Sequence, residues 1–165
     1  MRIDRFQDLF VWQIADELRR EIIAFTDRDP AVKDFKFRDQ IRDAIASACR
    51  NTAEGFDRFR PAEFARSLEF ARGSLGEVQD CLIDADNRGY IDGDQFDRMW
   101  LLSKRASGSN TKLTLYLKDC AAKRLTPWIP KEPRGKRLPA GEQGNHDATL
   151  GTPEKTPNQN QEPGT

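Results

Sequence analysis

Residues 64–85 read FARSLEFARGSLGEVQDCLIDA, and their rhythm decides the fold. Phe64, Leu68, Ala71, Leu75, Val78, Leu82 and Ala85 follow one another at intervals of 4, 3, 4, 3, 4 and 3 residues. That alternation places all seven side chains on one stripe of an α-helix, close to the seam of a helical bundle. Pro61 suits the first turn of this helix, where its missing N–H costs nothing. Gly89 suits its end.

The same period extends on either side. Val11, Ala15, Leu18, Ile22 and Phe25 form a stripe on a helix predicted from Asp8, its cap, to Thr26. Phe37, Ile41, Ala44, Ile45, Ala48 and Thr52 form another on a helix predicted from Phe35 to Glu54, with Gly55 as its stop. Downstream, Asp92 and Gln95 have the spacing of a reciprocal capping contact. They open a fourth helix with the stripe Phe96, Met99, Ser103, Ala106, Asn110, Leu113, Leu117 and Cys120, closed by Pro127. Four helical patterns, short links and no strand alternation predict an all-α, antiparallel up-down-up-down four-helix bundle.

The bundle domain is read as residues 1–125, and residues 126–165 as a Pro/Gly-rich, largely disordered tail. Seven of the nine prolines lie from Pro127 onward and apolar residues thin out after Trp128 and Ile129, so the segment buries too little surface to offset its ordering entropy. Trp128 and Ile129 are candidates to dock on the folded part. Charge is balanced throughout. The chain carries 27 Lys+Arg and 27 Asp+Glu; the first 125 residues hold 22 of each, leaving five of each for the tail. That balance excludes a binder working by bulk positive charge. A mean hydropathy of −0.77 implies a thin core. No apolar run approaches the ~20 residues of a membrane span, and Met1-Arg2-Ile3-Asp4-Arg5 lacks the apolar stretch of a secretory signal. Cys49, Cys81 and Cys120 form no C-x-x-C pair and are read as small buried hydrophobes of a reducing compartment. The expected location is the cytoplasm.

Gly73 and Gly76 fall inside the third helix, where each costs about 1 kcal/mol relative to Ala. Close approach of another backbone would explain both. Ser103 and Asn110 interrupt the fourth stripe. With Ser47, Asn51 and Glu54 on the second helix they are read as an internal polar network that holds helix register.

Chemistry is sparse. Residues 84–95 resemble an EF-hand calcium loop in Asp84, Asp86, Gly89 and Ile91. Arg88 stands where an oxygen ligand belongs, however, and Gln95 replaces the bidentate carboxylate. No metal site and no cofactor are expected. The single histidine, His146, lies in the tail, and no nucleophile sits beside a base. A bundle enzyme would have to work through buried Glu54 and Glu77, and the chain is read as non-enzymatic. Basic residues carry the sharper expectation. Arg38, Arg42, Arg50, Arg58 and Arg60 lie along the second helix and the loop after it, with Phe56 and Phe59 interleaved, a mixture suited to single-stranded nucleic acid. Asp39, Asp43, Glu54 and Asp57 share that stretch, so a basic patch requires the fold to separate the signs.

Longer motifs resemble a known family. Phe6-Gln7-Asp8-Leu9-Phe10-Val11-Trp12-Gln13 is similar to its F-x-x-L-x-V-W-Q opening. Gln40-Ile41-Arg42-Asp43-Ala44 and Asn51-Thr52-Ala53-Glu54-Gly55 resemble its Q-I-R-R-A and N-I-A-E-G core. Phe70 through Glu77 resembles its I-A-x-G-S-L-x-E segment, and Gly89-Tyr90-Ile91 its G-Y-I turn. This is the four-helix bundle family also known as 23S rRNA-intervening sequence proteins, and the resemblance spans about residues 5–120. Asp43 departs from the pattern by replacing a basic residue, Thr52 by replacing an aliphatic one, and the tail is extra.

The resemblance implies a small antiparallel bundle that assembles as a homo-oligomer, typically a pentamer, with no established catalysis. It also implies a scaffold for RNA or for a nucleic-acid-processing enzyme. Asn51, Glu54, Gly55, Gly73 and Gly76 then become candidate subunit contacts, and Arg38, Arg42, Arg50, Arg58 and Arg60 candidate phosphate contacts. The alternative is a protein–protein interaction module with no nucleic-acid role.

Overall fold

The computed structural model describes residues 3–58 and 60–127. The tail from Trp128 onward, including Trp128 and Ile129, lies outside the described residues. Four helices carry the fold: α1 (Phe10–Thr26), α2 (Phe35–Asp57), α3 (Pro61–Asn87) and α4 (Gly93–Ala122), with 3-10 turns at Phe6–Asp8 and Ala31–Lys33. No strand occurs among the described residues.

The pairs α2–α3 and α3–α4 run antiparallel, as individual pairings establish. Along α2 and α3, Phe56 meets Phe64, Ser47 meets Ser74, and the α2 cap Asp34 meets Arg88 at the far end. Along α3 and α4, Glu69 pairs with Lys118 and Gln79 with Ser107. Arg98 of α4 reaches back to Glu21 of α1. Each helix therefore packs on its sequence neighbours and α4 closes on α1, the arrangement expected of an up-down-up-down bundle.

The predicted stripes of α1, α2 and α3 are buried in full. On α4, Phe96 and Leu113 are only half-buried, and Leu102 and Thr114 join the interior. The core falls into two apolar clusters. The larger runs from Ile14, Leu18 and Ile22 through Ile41, Ile45, Val78 and Leu82 to Met99. The smaller gathers Ile3, Leu9, Val11, Phe64, Leu68 and Leu117. Along α2, α3 and α4, Thr52, Ala71 and Asn110 stand between residues of the two clusters, so small and polar side chains separate them.

Helix ends differ from expectation for local reasons. Asp8 does not cap α1; it pairs with Arg5 at the end of the first 3-10 turn, and Leu9 precedes α1 without a side-chain cap. Gly55 does not stop α2, which continues to Asp57. Its role is packing: a Cβ there would lie 2.6 Å from the Phe64 ring and 2.8 Å from Ser67 Cβ. Gly89, with φ +67°, does follow the end of α3 in the left-handed region that favours glycine. The capping box forms as expected, Asp92 accepting from Gln95 N and Gln95 Oε1 accepting from Asp92 N. α4 ends at Ala122, well before Pro127.

Gly73 and Gly76 correct another expectation. Both are exposed, and a Cβ on either would meet nothing within 4 Å, so among the described residues no other backbone approaches them.

Candidate functional site

The arginines predicted to meet phosphate are mostly engaged by this chain's own acids. Arg38 donates to Asp39 Oδ1 at 3.1 Å and lies over the Phe35 ring. Arg42 donates to Thr26 Oγ1 at 2.7 Å and to Asp27 Oδ1 at 2.6 Å, tying α2 to the end of α1. Arg58, at the end of α2, pairs with Glu54 and lies 4.0 Å from Glu63. Arg60, at the start of α3, pairs with Glu63 at 3.2 Å. Arg50 alone of the five is exposed with no ion pair among the described residues. Two of these pairs follow from sequence: Arg58 and Arg60 have an acid four and three positions away, the spacings that bring side chains together on a helix.

Aromatic interleaving fares no better as a stacking platform. Phe56 is half-buried edge-on against Phe64, and Phe59 lies outside the described residues. An open groove of about 530 Å³ between α2 and α3 runs past Asn51, Glu54, Arg58, Glu63, Arg66 and Phe70. Its two acids and two arginines hold both signs at once, so it concentrates neither. Glu54 and Glu77 are exposed, correcting the expectation of buried carboxylates poised for acid–base work.

The single polar network read from sequence divides into separate pieces. Ser47 bonds Ser74 across α2 and α3 at 2.9 Å, and Asn51 donates back to Ser47. Glu54 belongs to the surface. Ser103 donates to its own helix at Trp100 O. Asn110 is fully buried; its Oδ1 faces Thr114, while its Nδ2 has no hydrogen-bond partner among the described residues.

The stretch resembling a calcium loop serves as a clamp. Arg88 donates to Asp84 and to Asp34, each at 2.8 Å, and the Tyr90 hydroxyl donates to Asp34 at 2.9 Å. The backbone N–H of Phe37 and the Tyr90 hydroxyl hold the Asp34 carboxyl below its ordinary range. The Arg88 guanidinium also lies over the Phe37 and Tyr90 rings. One cation thus joins the start of α2 to the α3–α4 turn. All three cysteines are buried, and burial pushes the Cys49 and Cys81 thiols up to about 11, which keeps them protonated and unreactive.

A second basic region lies on α4, where lysines outnumber arginines. From Arg98 to Lys118 the chain has five bases and no acid. From Gly73 to Asp97 it has seven acids and one base, Arg88. Lys104, Arg105 and Lys112 are exposed on α4 and make no ion pair among the described residues, as are Glu77 and Asp80 on α3. The signal was legible as a run of one sign, but a balance struck over 125 residues averages it away.

The model of the 23S rRNA-intervening sequence protein family matches residues 7–109, more than half of the chain. The chain belongs to this family. The match takes in α1, α2, α3 and the first half of α4, and it ends at Ser109, one residue before the buried Asn110. No curated protein matches the chain. Among the described residues, no helix is long and apolar enough to cross a membrane.

Proposed function

We propose that this 23S rRNA-intervening sequence protein is a non-enzymatic, self-associating helical-bundle scaffold that works through protein contacts. One observation carries the reading. Four of the five arginines that would have met phosphate are held by acids of the same chain, whereas large apolar side chains stay uncovered, among them Leu101 at 59% and Leu115 at 63% exposure. Covering such side chains with a protein partner removes apolar area from water, which a phosphate track does not do. The family resemblance supports a homo-oligomer and points to five copies.

A second reading keeps RNA or a nucleic-acid enzyme as partner, favoured by the acid-free run from Arg98 to Lys118. The two separate in one experiment, light scattering of the full chain beside retention of a labelled structured RNA at two salt concentrations. The protein reading expects a multimeric mass and no RNA retention at low salt. Salt-sensitive retention by a single-chain species overturns it. Arg50→Glu is the clean charge-reversal control, because reversing Arg42 would also break its bonds to Thr26 and Asp27.

A further inference from the structure

Two surface stripes, one on α3 and one on α4, carry opposite charge that no described residue of this chain neutralises. The outward stripe of α4 is Leu101, Lys104, Gly108, Lys112 and Leu115, spaced 3, 4, 4 and 3 residues apart, with Arg105 beside it. All six are exposed. The outward stripe of α3 holds Gly73, Gly76, Glu77 and Asp80, also exposed, and its two glycines leave open space where side chains would stand. None of the three cations and neither acid has an ion-pair partner among the described residues; Lys104 rests only over the Trp100 ring.

Height along the bundle relates the stripes. Gln79 lies opposite Ser107 and Glu69 opposite Lys118. On that register, Glu77 and Asp80 stand level with residues inside the segment from Lys104 to Lys112. Leu115 stands within a helical turn of Gly73. A rotation about an axis parallel to the bundle leaves every height unchanged. With α3 of one copy set beside α4 of the next, the two helices would meet antiparallel, as they do within one chain.

We propose that the outward stripe of α4 docks on the outward stripe of α3 of a second copy of this chain. Lys104, Arg105 and Lys112 then face Glu77 and Asp80 of the neighbour, and Leu115 settles over the notch at Gly73 and Gly76. The proposal rests on the self-association reading above and assigns its surface. A second copy suits the whole arrangement better than nucleic acid does. RNA would engage the cations alone, leaving Leu101 and Leu115 in water and meeting repulsion from the acidic run that precedes α4. Two distinct, complementary patches are also what a head-to-tail contact requires.

The test uses the full chain and sedimentation velocity over a concentration series, with circular dichroism to confirm helicity. Glu77→Lys with Asp80→Lys reverses one stripe; Lys104→Glu with Lys112→Glu reverses the other. Each pair is expected to raise the dissociation constant by about tenfold or more, because like charges then face each other. Combining all four changes restores opposition of sign and is expected to restore assembly. If the wild-type chain assembles and both reversed proteins assemble equally well, the contact lies elsewhere and self-association stands without it. Failure of the fourfold variant to recover overturns the pairing as well. A wild-type chain that stays single removes the reading on which the proposal rests. Loss of RNA retention by the Lys104→Glu/Lys112→Glu protein, with its mass unchanged, assigns the stripe to nucleic acid and overturns the proposal.

Discussion

The α2–α3 side of the bundle and the outer surface of α3 and α4 contain similar residues in opposite circumstances. Between α2 and α3, a glycine is pressed against a phenylalanine ring, Ser47 bonds Ser74, and Arg58 and Arg60 are held by glutamates. On the α3–α4 surface, Gly73, Gly76 and Gly108 face open space, leucines are exposed, and Lys104, Arg105 and Lys112 have no ion pair among the described residues. Spacing makes the difference. Where acids and bases alternate within a helical turn, each helix neutralises its own charge. Where one helix segment is acidic and the next basic, charge is left for another molecule. An abundance of arginine is therefore a poor guide to a binding face, and unbroken sign along a helix is a better one.

Glycine substitutions give the sharpest contrast. Gly55→Ala places a methyl group against Phe64 and Ser67, and chemical denaturation should show a loss of about 2 kcal/mol. Gly73→Ala and Gly76→Ala, tested the same way at concentrations where the chain is single, should each add roughly 0.5–1 kcal/mol by restoring helix propensity. A neutral Gly55→Ala would mean that α2 and α3 are not in close contact at that point.

Asn110 marks a place where the interior itself is imperfect. Its Nδ2 is a buried donor without a partner among the described residues, so Asn110→Leu, which keeps the branched shape without the polar atoms, should raise stability by about 1 kcal/mol. Should the variant become less stable, the amide is serving the packing of the two core clusters in a way its hydrogen bonds do not reveal.

The Arg88 clamp predicts an acid dependence. The folded carboxyl of Asp34 is held below its ordinary value. Its contribution is therefore complete above about pH 4 and is lost as pH falls through the lower folded value. Asn keeps the helix cap but not the charge. Thermal melts of wild type and Asp34→Asn should differ at neutral pH and converge as pH drops below 4. A gap that stays constant with pH would locate the effect in packing instead.

The smallest effect expected concerns the predicted phosphate contacts. Arg50→Glu changes an exposed side chain with no ion pair among the described residues and should leave both helicity and assembly unchanged. A change in sedimentation would place α2 at a subunit contact and weaken the contrast drawn here.

How far these features could be read from sequence depended on whether the cause was local. The stripe from Phe64 to Ala85 proved to be buried at every position, because helical periodicity and core burial share one geometric origin. The Asp92–Gln95 capping box was equally legible, its partners being three residues apart. Asp8 misled because a capping residue type also serves in a turn, and Arg5 was there to pair with it. Glycines misled further: the helix penalty at Gly73 and Gly76 is visible in sequence, but the side they face is not, and the close contact fell to Gly55 instead. Long-range pairs such as Arg42 with Asp27, or Arg88 with Asp34, depend on which helices meet and became legible only in the fold.

Sedimentation equilibrium of the full chain at low and at high salt tests the central claim most directly. A scaffold joined through facing acidic and basic stripes should show a multiple of the 18.9 kDa chain mass at low salt. That mass should fall toward the single-chain value as salt screens the contact. A single-chain mass at every ionic strength would contradict the account.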